Sequence, residues 1–229
     1  MTDTAHRTVA MPSAARSDLP RVVRLALAVT MPIGPLAVAA LRYVMPYSTT
    51  DDSATVVSGV NADPGAQSAV LWLALVAVLT LVPGVYAVTA LLRRQSPRLT
   101  AVAAGLLVPA YLSLGLMTAF DYVVSAAASA GLPEADAIRL LDGLHPTVAI
   151  ATGVFVVGHV VGTVLLGVAC WRTRLVPRPV AAALAVSQPL HFVAAVVLGN
   201  HPLDLVAWVL TALGMGAAAL VVLRADEVD

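Results

Sequence analysis

The chain has 229 residues, of which 59% are hydrophobic and 11% charged, against about 25% charged in an ordinary soluble domain. Its 13 basic residues, every one an arginine, balance 13 acids to a formal net charge of zero. A soluble globule could not cover so much apolar surface, and without a basic excess there is no electrostatic footprint for nucleic acid.

Residues 1–20 are polar and aperiodic, which predicts a disordered tail. Six apolar runs are then long enough to cross a bilayer as helices: about 22–46, 68–92, 99–120, 146–171, 180–199 and 203–223. None alternates with period two, which argues against an outer-membrane β-barrel and for an all-α transmembrane bundle in one domain, 21–224. Ala37-Val38-Ala39 resembles a leader cleavage site, but the apolar run continues through it and Arg42 follows closely. The loops 47–67 and 121–145 are the only sizeable polar connections, the second carrying an amphipathic turn from Glu134 to Leu141. Residues 225–229 form a short tail.

Eleven arginines sit on one side of this arrangement, at the chain ends and in the second and fourth connections. Only Arg42 and Arg139 fall on the other side, with eight acids. The arginine-rich side reads as cytoplasmic, with both termini there. The neutral total is thus a cancellation between about +6 and −6. Tyr43, Tyr47, Trp72, Tyr122 and Trp208 map to the outer interface and Trp171 to the inner one, where amphipathic rings sit well. Asp121 reads as solvated. Arg42 can snorkel or pair with an outer aspartate, and is the best anion contact in the chain. Cys170 is alone and permits no internal disulfide.

The two cytoplasmic connections echo each other at an offset of 80. Arg94, Pro97 and Arg98 match Arg174, Pro177 and Arg178; Ala101, Ala103 and Pro109 match Ala181, Ala183 and Pro189. A duplicated hairpin and convergence of short turns both account for this. Pro109 and Pro189 would be matching kinks, each followed two residues later by a polar group, Tyr111 or His191.

Ionisable groups in mid-span are costly and mark functional candidates. His159 and His191 both lie about 17 Å from the arginine-rich side. Ser187, Gln188 and His191 share a face of the fifth span. Gly158 and Gly162 flank His159 and let a neighbouring helix approach, with Thr163 beside them. These residues with Tyr111 form the candidate intramembrane polar site, between spans four and five. It reads as a proton relay, a substrate contact, a ligand pair with His159 and His191 as weak metal candidates, or plain interhelical hydrogen bonding. The spacing of His145 and His159 suits stacked haems, but span five offers only His191 to match. His145-Pro146 and His201-Pro202 read better as helix starts. No zinc-helix, nucleophile-elbow or phosphate-loop pattern occurs, and Gly214 and Gly216 read as close helix packing. No catalytic residue, metal or cofactor is implied.

Gly158-His159, Gly162-Thr163, Arg174, Pro177-Arg178, Gln188-Pro189 and His191-Phe192 resemble a group of small multi-pass actinobacterial proteins that carry a domain of unknown function. The resemblance implies six helices in a bacterial plasma membrane and hands over no activity. The first expectation is a non-enzymatic accessory or interaction protein with a membrane-protein partner or a second copy. A small-solute or proton-coupled transporter using the His159/His191 layer comes next, then a haem-binding redox protein.

Overall fold

The computed structural model describes residues 20–224, so the expected tails 1–20 and 225–229 lie, apart from Pro20, outside the described residues. Among these, the chain is helical throughout and has no strand. Six helices are long and apolar enough to cross a membrane, as expected of segments that must satisfy their own backbone groups. They are α1 (Arg21–Val44), α3 (Pro64–Leu92), α4 with α5 (Pro97–Met117 and Ala119–Ser129), α7 (Thr147–Thr173), α8 (Arg178–Phe192) and α9 (His201–Arg224). Two short helices, α2 (Ser53–Ala62) and α6 (Glu134–Asp142), lie in the polar connections.

Three expected limits change. The second span begins at Pro64, because Asp63 accepts the Ala66 N–H at 2.9 Å and starts the helix earlier than the apolar run does. Beyond α4, the helix α5 carries the chain on to Ser129 where a loop from 121 was expected. Asp121 is buried there, bonded to Tyr47 and Gln67, and does not mark an exit to water. The loop 47–67 is largely α2, capped where Asp52 accepts the Thr55 N–H at 2.8 Å.

The six spans close into a ring. Each packs on two others in the order α1, α3, α4, α7, α8, α9 and back to α1, so the first and last helices seal the circle. An even number of alternating spans leaves Arg21 and Arg224 at one end, the arginine-rich end. The ring's centre is nearly filled. One cavity of about 10 Å³, lined from all six spans, remains among Met31, Leu81, Tyr111, Thr163, Leu184 and Thr211. That is room for about one water. Outward faces carry large apolar side chains such as Trp72, Leu79, Tyr86, Ile150 and Val157, as lipid contact requires.

At the acidic end α2, α5 and α6 form a small cap around Val56, Val60, Val124, Ala127 and Leu141. The Ser53 hydroxyl donates to Asp142 at 2.6 Å, tying α2 to α6. The Asp52 cap predicts a pH effect. Its carboxyl is held below the ordinary 3.8, first by the Thr55 backbone hydrogen bond. A folded-state value that is lowered gives stability that is complete above about pH 4 and lost as pH falls through the folded value. Hydrogen-exchange protection at the start of α2 is expected to fall over that acid range, and Asp52→Asn should flatten the response.

Candidate functional site

Three helix ends converge near the acidic end. α1 finishes with Arg42 in its last turn, where the helix dipole favours a cation. α9 begins where Asn200 accepts the Leu203 N–H at 2.8 Å, which places Asp204 in the first turn, where the dipole favours an anion. Between them α8 opens into a π-helical turn, Val193–Val197, just after His191. Such turns recur at functional sites because they break the helix register locally. Gly199 then takes a left-handed φ of 57°, reversing the chain into α9.

Asp204 is fully buried and shared. Its Oδ2 accepts from Arg42 Nε at 2.6 Å, and its Oδ1 meets His191 Nδ1 in a short contact. The same guanidinium donates to the Thr49 hydroxyl at 2.6 Å and lies 3.1 Å from Met45 Sδ. Trp208, one turn along α9 and equally buried, donates its indole N–H to His191 Nδ1 at 3.1 Å. One imidazole nitrogen therefore faces both a carboxyl oxygen and an indole N–H. An indole can only donate, so it bonds Nδ1 when that nitrogen offers a lone pair. When Nδ1 carries hydrogen towards Asp204, the indole loses this acceptor.

His159 lies beside this group. Its ring stacks on Phe155 at 4.3 Å and on Trp208 at 5.8 Å, and sits 5.2 Å from His191. Its Nδ1 meets the Phe155 carbonyl at 2.6 Å. A carbonyl accepts, so Nδ1 is protonated and Nε2 is the lone-pair nitrogen. That Nε2 is buried without a hydrogen-bond partner. One turn earlier in α8 than His191, Gln188 donates to the Thr211 hydroxyl at 2.7 Å. Thr211 donates to Ser187 at 2.8 Å and Ser187 to the Leu184 carbonyl at 2.8 Å.

The structure brings together His159, Gln188, His191 and Ser187 on one polar column that leads towards Arg42. Tyr111 and Thr163 do not join the His191 cluster; they line the central cavity, where the Thr163 hydroxyl is without a partner. Gly158 and Gly162 face α4: a Cβ on Gly158 would stand 2.7 Å from the Leu106 carbonyl oxygen, and one on Gly162 2.6 Å from Leu107. The close approach towards α8 is made by Gly167 against Ala185. As for the weak metal candidates, no three His, Cys, Asp or Glu side chains gather into a metal-binding arrangement among the described residues.

Two expectations are overturned. Trp208 is no interface ring but a core residue, because its indole has an imidazole to bond inside the bundle. Asp121 is not solvated. Tyr47 donates to it, and Gln67 Nε2 donates at 3.1 Å. Burial, and then the nearby Asp121 charge, push the Tyr47 phenol far above its ordinary range, so it stays a donor. Asp204, Trp208 and Thr211 went unrecognised as site residues. Their spacing of four and then three places them on one helix face, which is a signal available in the sequence.

A sequence model of the family described as Domain of unknown function (DUF4386) matches residues 23–224. No curated protein matches the chain, and no solved structure does.

Proposed function

The chain belongs to the DUF4386 family, and for this multi-pass membrane protein we propose proton-coupled transport of a small solute, with His191 and Asp204 as the proton-binding pair. The observation that carries this reading is the competition at His191 Nδ1. A network that served only to hold helices together would give each donor its own acceptor. Here Nδ1 can accept from Trp208 only while it carries no hydrogen, so taking up a proton at that nitrogen breaks the Trp208 hydrogen bond. It also changes the charge facing Arg42, and so the tie between α1, α8 and α9. The solute route would be the polar column and the small cavity where all six spans meet, opening when that tie loosens.

The same reading puts the arginine-rich end in the cytoplasm of a bacterial cell and the His191 pair nearer the outer face of the plasma membrane. An accessory subunit without chemistry of its own would leave the shared nitrogen unexplained. Haem is disfavoured by space: the rings of His159 and His191 lie 5.2 Å apart with Trp208 packed on both. No plane for a porphyrin exists between them.

Trp208 supplies the test. With Trp72→Phe and Trp171→Phe it becomes the sole tryptophan of the chain's three. The charged and titratable groups facing the His191 pair are Arg42 on α1, His159 on α7 and His201 on α9, the last of which also faces Asp51 in the first connection. Emission of this variant is expected to change with pH as a proton joins or leaves the His191 pair. The change should vanish in His191→Gln and persist in His201→Gln. A flat profile, or a profile unchanged by His191→Gln, would overturn the assignment.

A further inference from the structure

At the arginine-rich end, far from the His191 pair, α7 and α8 enclose a groove of about 280 Å³ lined by Gly167, Ala181, Ala182, Ala185, Trp171 and Arg172, among others. Its shape follows from the residues. Gly167 has no side chain, and a Cβ there would stand 2.6 Å from the Ala185 backbone nitrogen, so the helices touch at that level. Alanines form the α8 wall of the groove. Trp171 is exposed on the rim, and the Arg178 guanidinium lies over its ring at 5.5 Å, a cation–π contact that holds the charge beside the opening. Arg172 lines the opening itself. Among the described residues no carboxylate lies in ion-pair range of Arg172, Arg174 or Arg178.

We propose that this groove binds an anionic phospholipid, with one acyl chain along Gly167, Ala182 and Ala185 and the phosphate at Arg172 and Arg178. Three features select that occupant. The groove lies between two adjacent spans, and apolar walls there meet hydrocarbon and not water. Its mouth sits at the end of both spans, at headgroup level, marked by an interfacial tryptophan. Its charge, among the described residues, is positive with no carboxylate beside it, which complements a phosphate diester, and basic pockets between spans bind anionic headgroups in this way. A zwitterionic lipid would bring its own cation to the same arginines. Free phosphate would leave the apolar walls uncovered. The inference does not depend on proton coupling, because the groove shares no residue with the His191 cluster.

Full-length protein in a neutral detergent would be titrated with phosphatidylglycerol, phosphatidylcholine or inorganic phosphate. Bound lipid would be counted by native mass spectrometry and stability followed by thermal unfolding. Phosphatidylglycerol is expected to bind and raise Tm, while the other two leave it unchanged. Arg172→Gln with Arg178→Gln should weaken binding roughly tenfold to thirtyfold, since each charge near the headgroup plane contributes about fivefold. Ala182→Leu, which fills the groove and keeps both arginines, should also remove binding, and decides the matter if the arginine variant does not fold. Equal binding of both lipids, full stabilisation by phosphate alone, or unaltered affinity in Ala182→Leu would overturn the proposal.

Discussion

Asp204→Ala is expected to lower stability by about 3–5 kcal/mol, the usual consequence of removing one partner from a buried ion pair. Asp204 is 0% exposed and holds Arg42 Nε at 2.6 Å. Without it the guanidinium keeps only the Thr49 hydroxyl and a thioether, and an unpaired charge in a low-dielectric setting costs several kcal/mol. His191 would lose its carboxylate at the same time. Arg42→Met should cost less, because Asp204 retains the imidazole as a partner. The sharper measurement replaces the whole pair. Arg42→Met with Asp204→Leu replaces the pair by apolar side chains, and such replacements are often neutral or stabilising. Thermal unfolding in detergent should therefore rank Asp204→Ala lowest and return the double variant towards the wild type. If Asp204→Ala lies within about 1 kcal/mol of the wild type, the charge is not buried as described.

The reason Asp204 escaped sequence reading lies in where burial is decided. His159 and His191 stand out because they interrupt long apolar runs, and an ionisable group in such a run is conspicuous wherever the helices pack. Asp204 and Arg42 stand at span ends, where a charge ordinarily reaches water. They are buried only because α9, the last helix, packs along α1, the first, and closes the ring. That contact joins positions 162 residues apart; the sequence offers Arg42 an outer aspartate as a partner but does not say which one. Trp208 fails for the same reason: near a span end an indole reads as an interface ring, and only the neighbouring His191 makes it a core residue.

Asp121 gives the converse lesson. An aspartate after an apolar run reads as an exit from the membrane. Yet Tyr47 and Gln67, from two other parts of the chain, supply its hydrogen bonds and let the helix continue to Ser129. The six apolar helices, by contrast, follow from composition and run length alone, because a bilayer offers the backbone no other partner. The glycines fall between these cases. That Gly158 and Gly162 admit a neighbouring helix is legible from their size and spacing; that the neighbour is α4 is decided by the ring order.

Gly167 turns that ring order into a prediction of opposite signs. In an isolated helix Gly→Ala is favourable by about 1 kcal/mol, since alanine loses less backbone freedom and adds no polar group. At Gly153 a Cβ would meet nothing within 4 Å, so Gly153→Ala should keep that gain and raise Tm slightly. At Gly167 the same methyl would lie 2.6 Å from Ala185 N, 2.7 Å from its Cα and 2.7 Å from its Cβ. Two of those atoms are backbone and cannot rotate aside, so the helices themselves must separate. Overpacking of this kind costs about 1–3 kcal/mol, and rigid partners place Gly167→Ala towards the upper end. The separation should also be felt two turns along α7, where His159 faces His191 at 5.2 Å. Gly167→Ala is therefore expected to lower Tm and to weaken the pH response of Trp208 emission, although it touches neither histidine. Gly153→Ala should leave the emission profile as it was. Equal thermal midpoints for the two variants would mean that α7 and α8 do not meet at backbone distance. A lowered midpoint with an intact emission profile would mean that the histidine contact is held by α9 alone.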